Sequence, residues 1–443
     1  MSGISTVLSV ILVVTALALG GCGRDTSTDE PAATPRASDA RRKVHQIDDP
    51  GNAAQVAALE TAGAKLVRDA QGSVVELRLS AAGKTDAVAT LSQMASLKRL
   101  ALEGPDWGDP QVERLGQLTG LEVLSLENTR TTDAGLAALK DLRNLRSLNV
   151  RRTQITAEGL ATVAKLPKLA ELDLRFNSTI DDGAMDTIAA MTALRSLKLQ
   201  QTRVSDNGVA KLASLSGLQT LNLVGRQFTS RGLESLKGLK LKVLEMDDAQ
   251  LDDTGLEYLK DMVSLERLHL RRTFISNEGL AKLAALKNLK TLMIRDTLVD
   301  NDGAVYLAQF PELEVLDLHE NLIGDAAAEH IRKLDKLEEL GLKATKMTSA
   351  GLRQLTGMPS LKSLLLAGCP AVDDSAGDAL LSFPKIELLD LQGTAITDAF
   401  VDRLITRLPQ LTHLQRVQLT NTSVSAAAVE RLRKAGGKLA VDY

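Results

Sequence analysis

The chain repeats one frame, L-x-x-L-x-L-x-x-T-x-[IV]-[TS]-x-x-G-L-x-x-L-x-x-L, at a period of about 24 residues from Leu121 onward. Leu121, Leu145, Leu169, Leu194, Leu218, Leu241, Leu265, Leu289, Leu313, Leu337 and Leu361 each open a copy. Weaker copies open at Val74 and Leu97 before them, and at Ile386 and Leu414 after them. A fixed period of this size restricts the chain to a stack of small like units. One unit is too small to cover its own apolar side chains, so neighbours on both sides must do it. The functional question therefore concerns surfaces more than any single catalytic group.

Each unit carries two periodicities. In Leu145-Arg-Ser-Leu-Asn-Val150 the apolar residues alternate, as in a half-buried strand. In Gly159-Leu160-Ala-Thr-Val163-Ala-Lys-Leu166 they fall three apart, which marks one stripe of a helix. The pattern resembles the leucine-rich repeat superfamily, and within it the helical 24-residue subclass of bacterial GALA-type and F-box-associated repeats. The resemblance covers residues 74–443, about 15 repeats with a short C-terminal cap strand at Leu439 and Val441. It implies an α/β solenoid, or horseshoe, with a parallel concave β-sheet and helices on the convex side.

The positions between the leucines fit that frame. The slot after [IV] holds Thr132, Thr156, Asp181, Ser205, Thr229, Asp252, Ser276, Asp300, Gly324, Thr348, Asp373, Thr397 and Ser425. Nearly all are favoured N-caps, so each helix is expected to start there. Acids follow in the first turn (Asp133, Glu158, Asp206, Asp253, Glu278, Asp302), where the helix dipole is positive. The Thr slot (Thr129, Thr153, Thr202, Thr273, Thr297, Thr345, Thr394, Thr422) usually holds Asn in the family the chain resembles; here only Asn177 and Asn321 do, and Cys369 takes the same place. A Thr hydroxyl can satisfy part of a buried turn. Three spacings depart by one residue (Leu169 to Leu194, Leu218 to Leu241, Leu361 to Ile386). The spacing from Ile386 to Leu414 is longer, with extra residues within 404–414, and the stretch 103–111 carries Pro105, Trp107 and Pro110 in place of the ordinary Thr-slot turn. Loops absorb such changes cheaply.

Residues 1–22 read as a targeting signal, with an apolar run at 7–20 that is too short for a membrane span. It ends in Leu19-Gly20-Gly21-Cys22, which resembles a bacterial lipobox. That resemblance implies lipidation of Cys22 and a lipid-anchored place in the cell envelope, facing periplasm or exterior. The absence of Lys or Arg in the first residues departs from the usual signal. Residues 23–50 hold almost nothing apolar and read as a flexible tether. Residues 51–73 read as an N-terminal cap: a helical pattern from Asn52, then strands at Lys65–Arg68 and 74–79 joined by Asp69-Ala-Gln-Gly72.

Composition narrows the function. A net charge of −3 with mixed signs provides no field for nucleic acid, and 2% aromatic residues offer little base or sugar stacking. Two cysteines are no disulfide framework. Cys369 sits in a repeat slot without a His or Asn motif, as a packing residue would. No Walker loop, G-x-S-x-G, H-E-x-x-H or CxxC pair occurs, so no enzyme, cofactor or metal centre is expected. Asp181-Asp182 and Asp373-Asp374 fall at helix starts, which accounts for them without calcium.

Strand geometry exposes the residues beside the second and third Leu of each unit on the concave side. Two groups of polar residues result. The first is Asn149, Arg151, Asp173, Arg175, Lys198 and Gln200. The second is Arg267, His269, Arg271 and Arg295, flanked by Glu245, Asp247 and Asp317, with His319 beyond. Arg and His on a rigid sheet suit polar or anionic partner groups. The competing reading is a solvated face whose opposite charges neutralise one another across strands. His269 and His319 stand two strands apart, about 10 Å, too far to share a metal. The expectation is a monomeric, non-catalytic module that binds a protein or an envelope polymer on its concave face. Two alternatives are a self-associating envelope scaffold and, by analogy with F-box repeat proteins, a ubiquitin-ligase adaptor. The adaptor would need a recruiting domain that residues 23–73 do not offer.

Overall fold

The computed structural model describes residues 50–61, 63–80, 91 and 94–443. The lipobox at Cys22 and the tether at 23–50 lie almost wholly outside the described residues. The described residues fall within one compact unit. It contains one open sheet of 17 strands in which each strand pairs with its sequence neighbours, from Lys65–Arg68 at one end to Ala440–Asp442 at the other. Every described pairing is parallel except the first, an antiparallel hairpin between Lys65–Arg68 and Val74–Ser80. Helix Pro50–Thr61 precedes that hairpin.

From Val123–Ser125 onward each strand is three residues long with a buried central residue; in Glu171–Asp173, Thr220–Asn222, Val315–Asp317, Glu339–Gly341 and Leu388–Asp390 the third residue is buried too. Register is kept without slip: Leu124, Leu148, Leu172, Leu197, Leu221 and Leu244 align across adjacent strands. The buried leucines of strands and helices merge into one continuous core from Val56 to Val441, as stacked units require. The side of the sheet away from the helices is left open.

The helices start where the capping residues stand. Thr132, Thr156, Ser205, Thr229, Asp252, Ser276, Thr348, Thr397 and Ser425 each accept an amide hydrogen bond from the first helical turn. The first-turn acids do more than meet the dipole. Asp253 Oδ1 accepts the amide of Ser276 in the next repeat at 2.8 Å, and its Oδ2 accepts the Ser276 hydroxyl at 2.6 Å. Asp109, Asp133, Asp182, Asp206, Asp325, Asp374 and Asp398 make the same two bonds to Thr132, Thr156, Ser205, Thr229, Thr348, Thr397 and Ser425. Among the described residues, eight junctions between repeats are thus stapled at the helix start. Glu158, Glu278 and Asp302, one residue further on, make no such staple.

At six of these junctions the Gly of the frame stands against the staple. Gly135, Gly159, Gly208, Gly232, Gly279 and Gly351 are helical, so they are not needed for backbone freedom; a Cβ at any of them would collide with the stapling carboxylate of the preceding repeat. The last two helices, Asp398–Arg407 and Ala426–Gly436, are longer and carry Phe400 and Ala428 there instead. The long spacing before Leu414 is taken up by helix Asp398–Arg407 and the single turn Leu408–Gln410 that follows it.

The Thr slot bonds its own turn: Thr129, Thr202, Thr273, Thr345 and Thr394 donate their hydroxyls to the carbonyl three residues back. Asn177 and Asn321 do more. Asn177 Nδ2 donates to Val150 and Leu174 carbonyls, and its Oδ1 accepts the Thr153 amide, so one side chain spans two repeats. Asn321 does the same with Ile294, Leu318 and Thr297. Cys369 is fully buried, hydrogen-bonded to the Leu342 carbonyl. At 103–111 the register of the frame survives: Trp107 fills the buried [IV] position and accepts the Arg130 amide as Ile180 accepts that of Arg203.

Candidate binding face

A recurrent Asx turn shapes the open face. Asn149, Asp173, Asp317 and Asp390 stand between the second and third apolar residues of their strands, and each accepts the amide two residues on. This folds the carboxylates down onto the end of the strand. Asp173 and Asp317 are nearly buried, and Asp390 is fully buried. Buried carboxylates require cations, and the face supplies them from its own residues.

The first expected group does not hold together. Arg151 turns away from Asp173 to Glu127, one strand earlier, at 2.5 Å, and lies over the Phe176 ring at 4.6 Å. Asn149 also donates to Glu127. Asp173 is claimed by Arg175 at 2.6 Å, with Lys198 at 3.8 Å. Gln200 contributes its backbone carbonyl to the Phe176 amide. Glu127 and Phe176 were absent from the sequence-based group; Glu127 stands two positions before the Thr slot of the preceding repeat, close enough to compete.

The second group is knit through Asp317. Arg271 Nε reaches Asp317 Oδ2 at 3.2 Å across two strands, and Arg271 Nη1 stands 3.6 Å from Asp247 Oδ2. The Arg271 amide donates to Asp247 Oδ1 at 2.8 Å. His319 Nδ1 meets Asp317 Oδ1 at 3.0 Å. The His319 ring occupies the space a side chain at position 341 would need, which Gly341 leaves free. Arg295 departs from the expected cluster: it pairs with Glu320 at the edge of the sheet. His269 aligns in register with Met293 and, one strand further, Asp317, so it does not face His319. Arg267 is exposed. Beyond the expected list, Lys343 pairs with the buried Asp390 at 2.6 Å, and Glu339 lies beside Asp317.

Burial sets the protonation of this face. It holds the His319 imidazole below its ordinary value, with Asp317 opposing, and does the same to His269, with Glu245 and Asp247 opposing. Burial pushes the Asp247 carboxyl up although the Arg271 amide and guanidinium favour its charge. Glu339 is pushed up by burial and by the charge of Asp317.

The interactions sort the residues into two kinds. Asp173, Arg175, Arg271, Asp317 and His319 are committed to one another. Arg267 and Lys198 keep solvent-facing charge, whereas Arg295 spends its charge on Glu320. Among the described residues no group of His, Cys, Asp and Glu could hold a metal ion, and no helix is long and apolar enough to cross a membrane.

Comparison with known proteins adds three findings. The family description "Leucine rich repeat" matches residues 119–178 and 311–370. A search of curated proteins finds no match. Among solved structures, the mouse RP105/MD-1 complex aligns with 17% identity over 83% of this chain and 69% of that one, at a TM-score of 0.55. An internalin of Listeria monocytogenes aligns with 19% identity over 88% and 93% of the two chains, TM-score 0.47. A leucine-rich repeat protein of Leptospira interrogans aligns with 20% identity over 82% and 98%, TM-score 0.48. The repeat frame, the stacked parallel sheet and the matched family description agree: the chain has the leucine-rich repeat fold, and its residues 119–178 and 311–370 match that family.

Proposed function

We propose that the chain is a non-catalytic scaffold that binds a protein partner on the open face of its sheet. Repeats of this kind typically serve protein binding, and RP105, which shares the architecture, was solved in complex with MD-1. The observation that carries the reading is the division of labour on the open face. Internal ion pairs fix the buried carboxylates, while Lys198 and Arg267 project from that fixed floor. A surface held in this way loses little freedom when a partner docks. Exposed cations on it suit acidic or carbonyl-rich partner groups. An envelope polymer bearing anionic groups would meet the same cations.

The lipobox-like ending at Cys22 supports a lipid anchor in a bacterial envelope, with the partner reached outside the cytosol. The test is capture by wild-type chain and by the double variant Lys198→Glu/Arg267→Glu from native membranes after chemical crosslinking. Capture of one defined protein, lost in the variant with unchanged circular dichroism, is expected. Undiminished capture by the variant would place the contact elsewhere. Labelling with a lipid precursor, abolished by Cys22→Ser, is expected for the anchor; unaltered labelling would refute it.

A further inference from the structure

The edge of the solenoid where strands turn toward helices carries a row of exposed apolar side chains on three consecutive repeats. Phe274, Leu298 and Leu322 each occupy the position between the Thr/Asn slot and the buried [IV] residue, and are 62%, 59% and 55% exposed. Their backbones are fixed. The Phe274 amide donates to Leu251, the Leu298 amide donates to Ile275, and Leu322 bridges to Asp300. The three side chains therefore stand about 5 Å apart in a straight line. In other repeats the same position holds Arg130, Gln154, Arg203, Gln250 and Lys346, so the apolar row is confined to the middle of the edge. A cleft of about 540 Å³ opens between Phe274 and Leu298, with Arg226, Asp248, Arg272 and Asp296 on its walls.

Acids flank the row on both sides. Toward the sheet, Asp248, Arg272, Asp296 and Glu320 occupy a left-handed corner of successive repeats, which turns their side chains outward. Arg272 grips Asp248 with both ends of its guanidinium, at 2.5 and 2.7 Å, and Arg295 takes Glu320. Asp296 has no ion pair among the described residues. Toward the helices stand Asp252 and Asp300, whose carboxyls are kept below the ordinary range, Asp252 first by the Thr254 hydroxyl and Asp300 first by the Asn277 amide. The carboxylates at 248, 252, 296, 300 and 320 outnumber the cations Arg226, Arg272 and Arg295.

We propose that this edge is a second docking surface, separate from the open face, for a short segment of a partner protein that alternates large apolar with Lys or Arg side chains. The apolar residues would cover Phe274, Leu298 and Leu322, and the basic ones would meet Asp296 and its acidic neighbours. The row exposes on the order of 300 Å² of apolar surface. That is well short of the ~800 Å² per partner of a stable dimer, which favours a peptide-sized occupant over a second copy. Opposite charges on both flanks fix the chemistry of the segment and disfavour an acidic one.

The test uses fluorescein-labelled hexapeptides and the full chain. Alternating Leu/Lys is compared with alternating Leu/Glu and Ser/Lys by anisotropy, on wild type and on the variants Phe274→Ser/Leu298→Ser and Asp296→Asn. The altered side chains are exposed, and unchanged thermal melts verify folding. Saturable binding of Leu/Lys alone is expected, weakened about tenfold or more in the double Ser variant and about threefold in Asp296→Asn. Equal binding of Leu/Glu, or undiminished Leu/Lys binding to the double Ser variant, would overturn the proposal. So would a wild-type dimer in sedimentation that Phe274→Ser/Leu298→Ser converts to monomer. The open-face reading is unaffected by any of these results.

Discussion

Asp253 and Ser276 lie 23 positions apart and share two hydrogen bonds, at 2.8 Å through the Ser276 amide and 2.6 Å through its hydroxyl. A Cβ at Gly279, one helical turn beyond Ser276, would run into the Asp253 carboxylate and the tip of Leu256. The contact recurs along the stack, so its energy is multiplied by the number of copies.

Replacing Asp253 by Ala should destabilise the chain by about 1–3 kcal/mol, since it removes two bonds to a charged acceptor. Gly279→Ala should cost about 1 kcal/mol, because the displaced carboxylate loses its partners faster than Ala gains helix propensity. In the Asp253→Ala background the sign reverses: Gly279→Ala becomes neutral or stabilising by up to ~1 kcal/mol. Urea denaturation of the four chains of this cycle measures it, and strict additivity would refute the shared space.

Arg271 ties Asp247 to Asp317, and both acids are nearly buried. Arg271→Met should lower stability by about 1–3 kcal/mol by leaving carboxylates without their cation. Arg267→Met, at an exposed position on the same strand, should fall within ~0.5 kcal/mol of wild type. Equal costs at both positions would contradict the division between fixed floor and free surface.

Burial holds the His319 imidazole below its ordinary value. The folded state therefore favours the neutral ring. The stability this contributes is complete above the unfolded value, near 6.5, and is lost as pH falls through it toward the folded value. Asp247 and Glu339, raised by burial, act in the opposite sense at lower pH. Comparison with His319→Gln isolates the histidine: the stability of wild type relative to this variant should decline from pH 7.5 to 5. A constant difference would show that the ring titrates as it does in water.

The Cys369 thiol is buried and pushed up, which keeps it protonated and shielded. Iodoacetamide should leave Cys369 unmodified in the native chain and alkylate it at least ~100-fold faster in guanidinium, as read from the peptide containing it by mass spectrometry. Rapid native labelling would mean that the repeat around it opens readily.

Much of the architecture was legible because each repeat states its own periodicities. Alternation at 145–150 and the three-residue spacing at 160–166 locate strand Ser147–Asn149 and helix Ala157–Val163 without any long-range information. Thr156 marks that helix start by its own chemistry. What escaped was contact between repeats. Asp133 looked like a dipole acid, although the recurrence of Asp, then Ser or Thr 23 positions on, then Gly three further, carries the staple in plain sequence. The positions of Arg151 and Arg295 on the open face were clear, but their partners were not. A long side chain chooses among several acids within reach, and Glu127 and Glu320 won by local geometry that alternation alone does not encode. The pairing of Lys343 with the buried Asp390 was missed because Asp390 lies two strands beyond it.

The central claim is that partner contact falls on the open face of the sheet. A photocrosslinking residue placed singly at Lys198, Arg267, Arg231 and Glu234 compares that face with helix Ser230–Leu236 on the opposite side. In native membranes, adducts to one defined protein at 198 and 267, with none at 231 and 234, are the predicted result. Adducts confined to 231 and 234, or spread equally over all four positions, would contradict it.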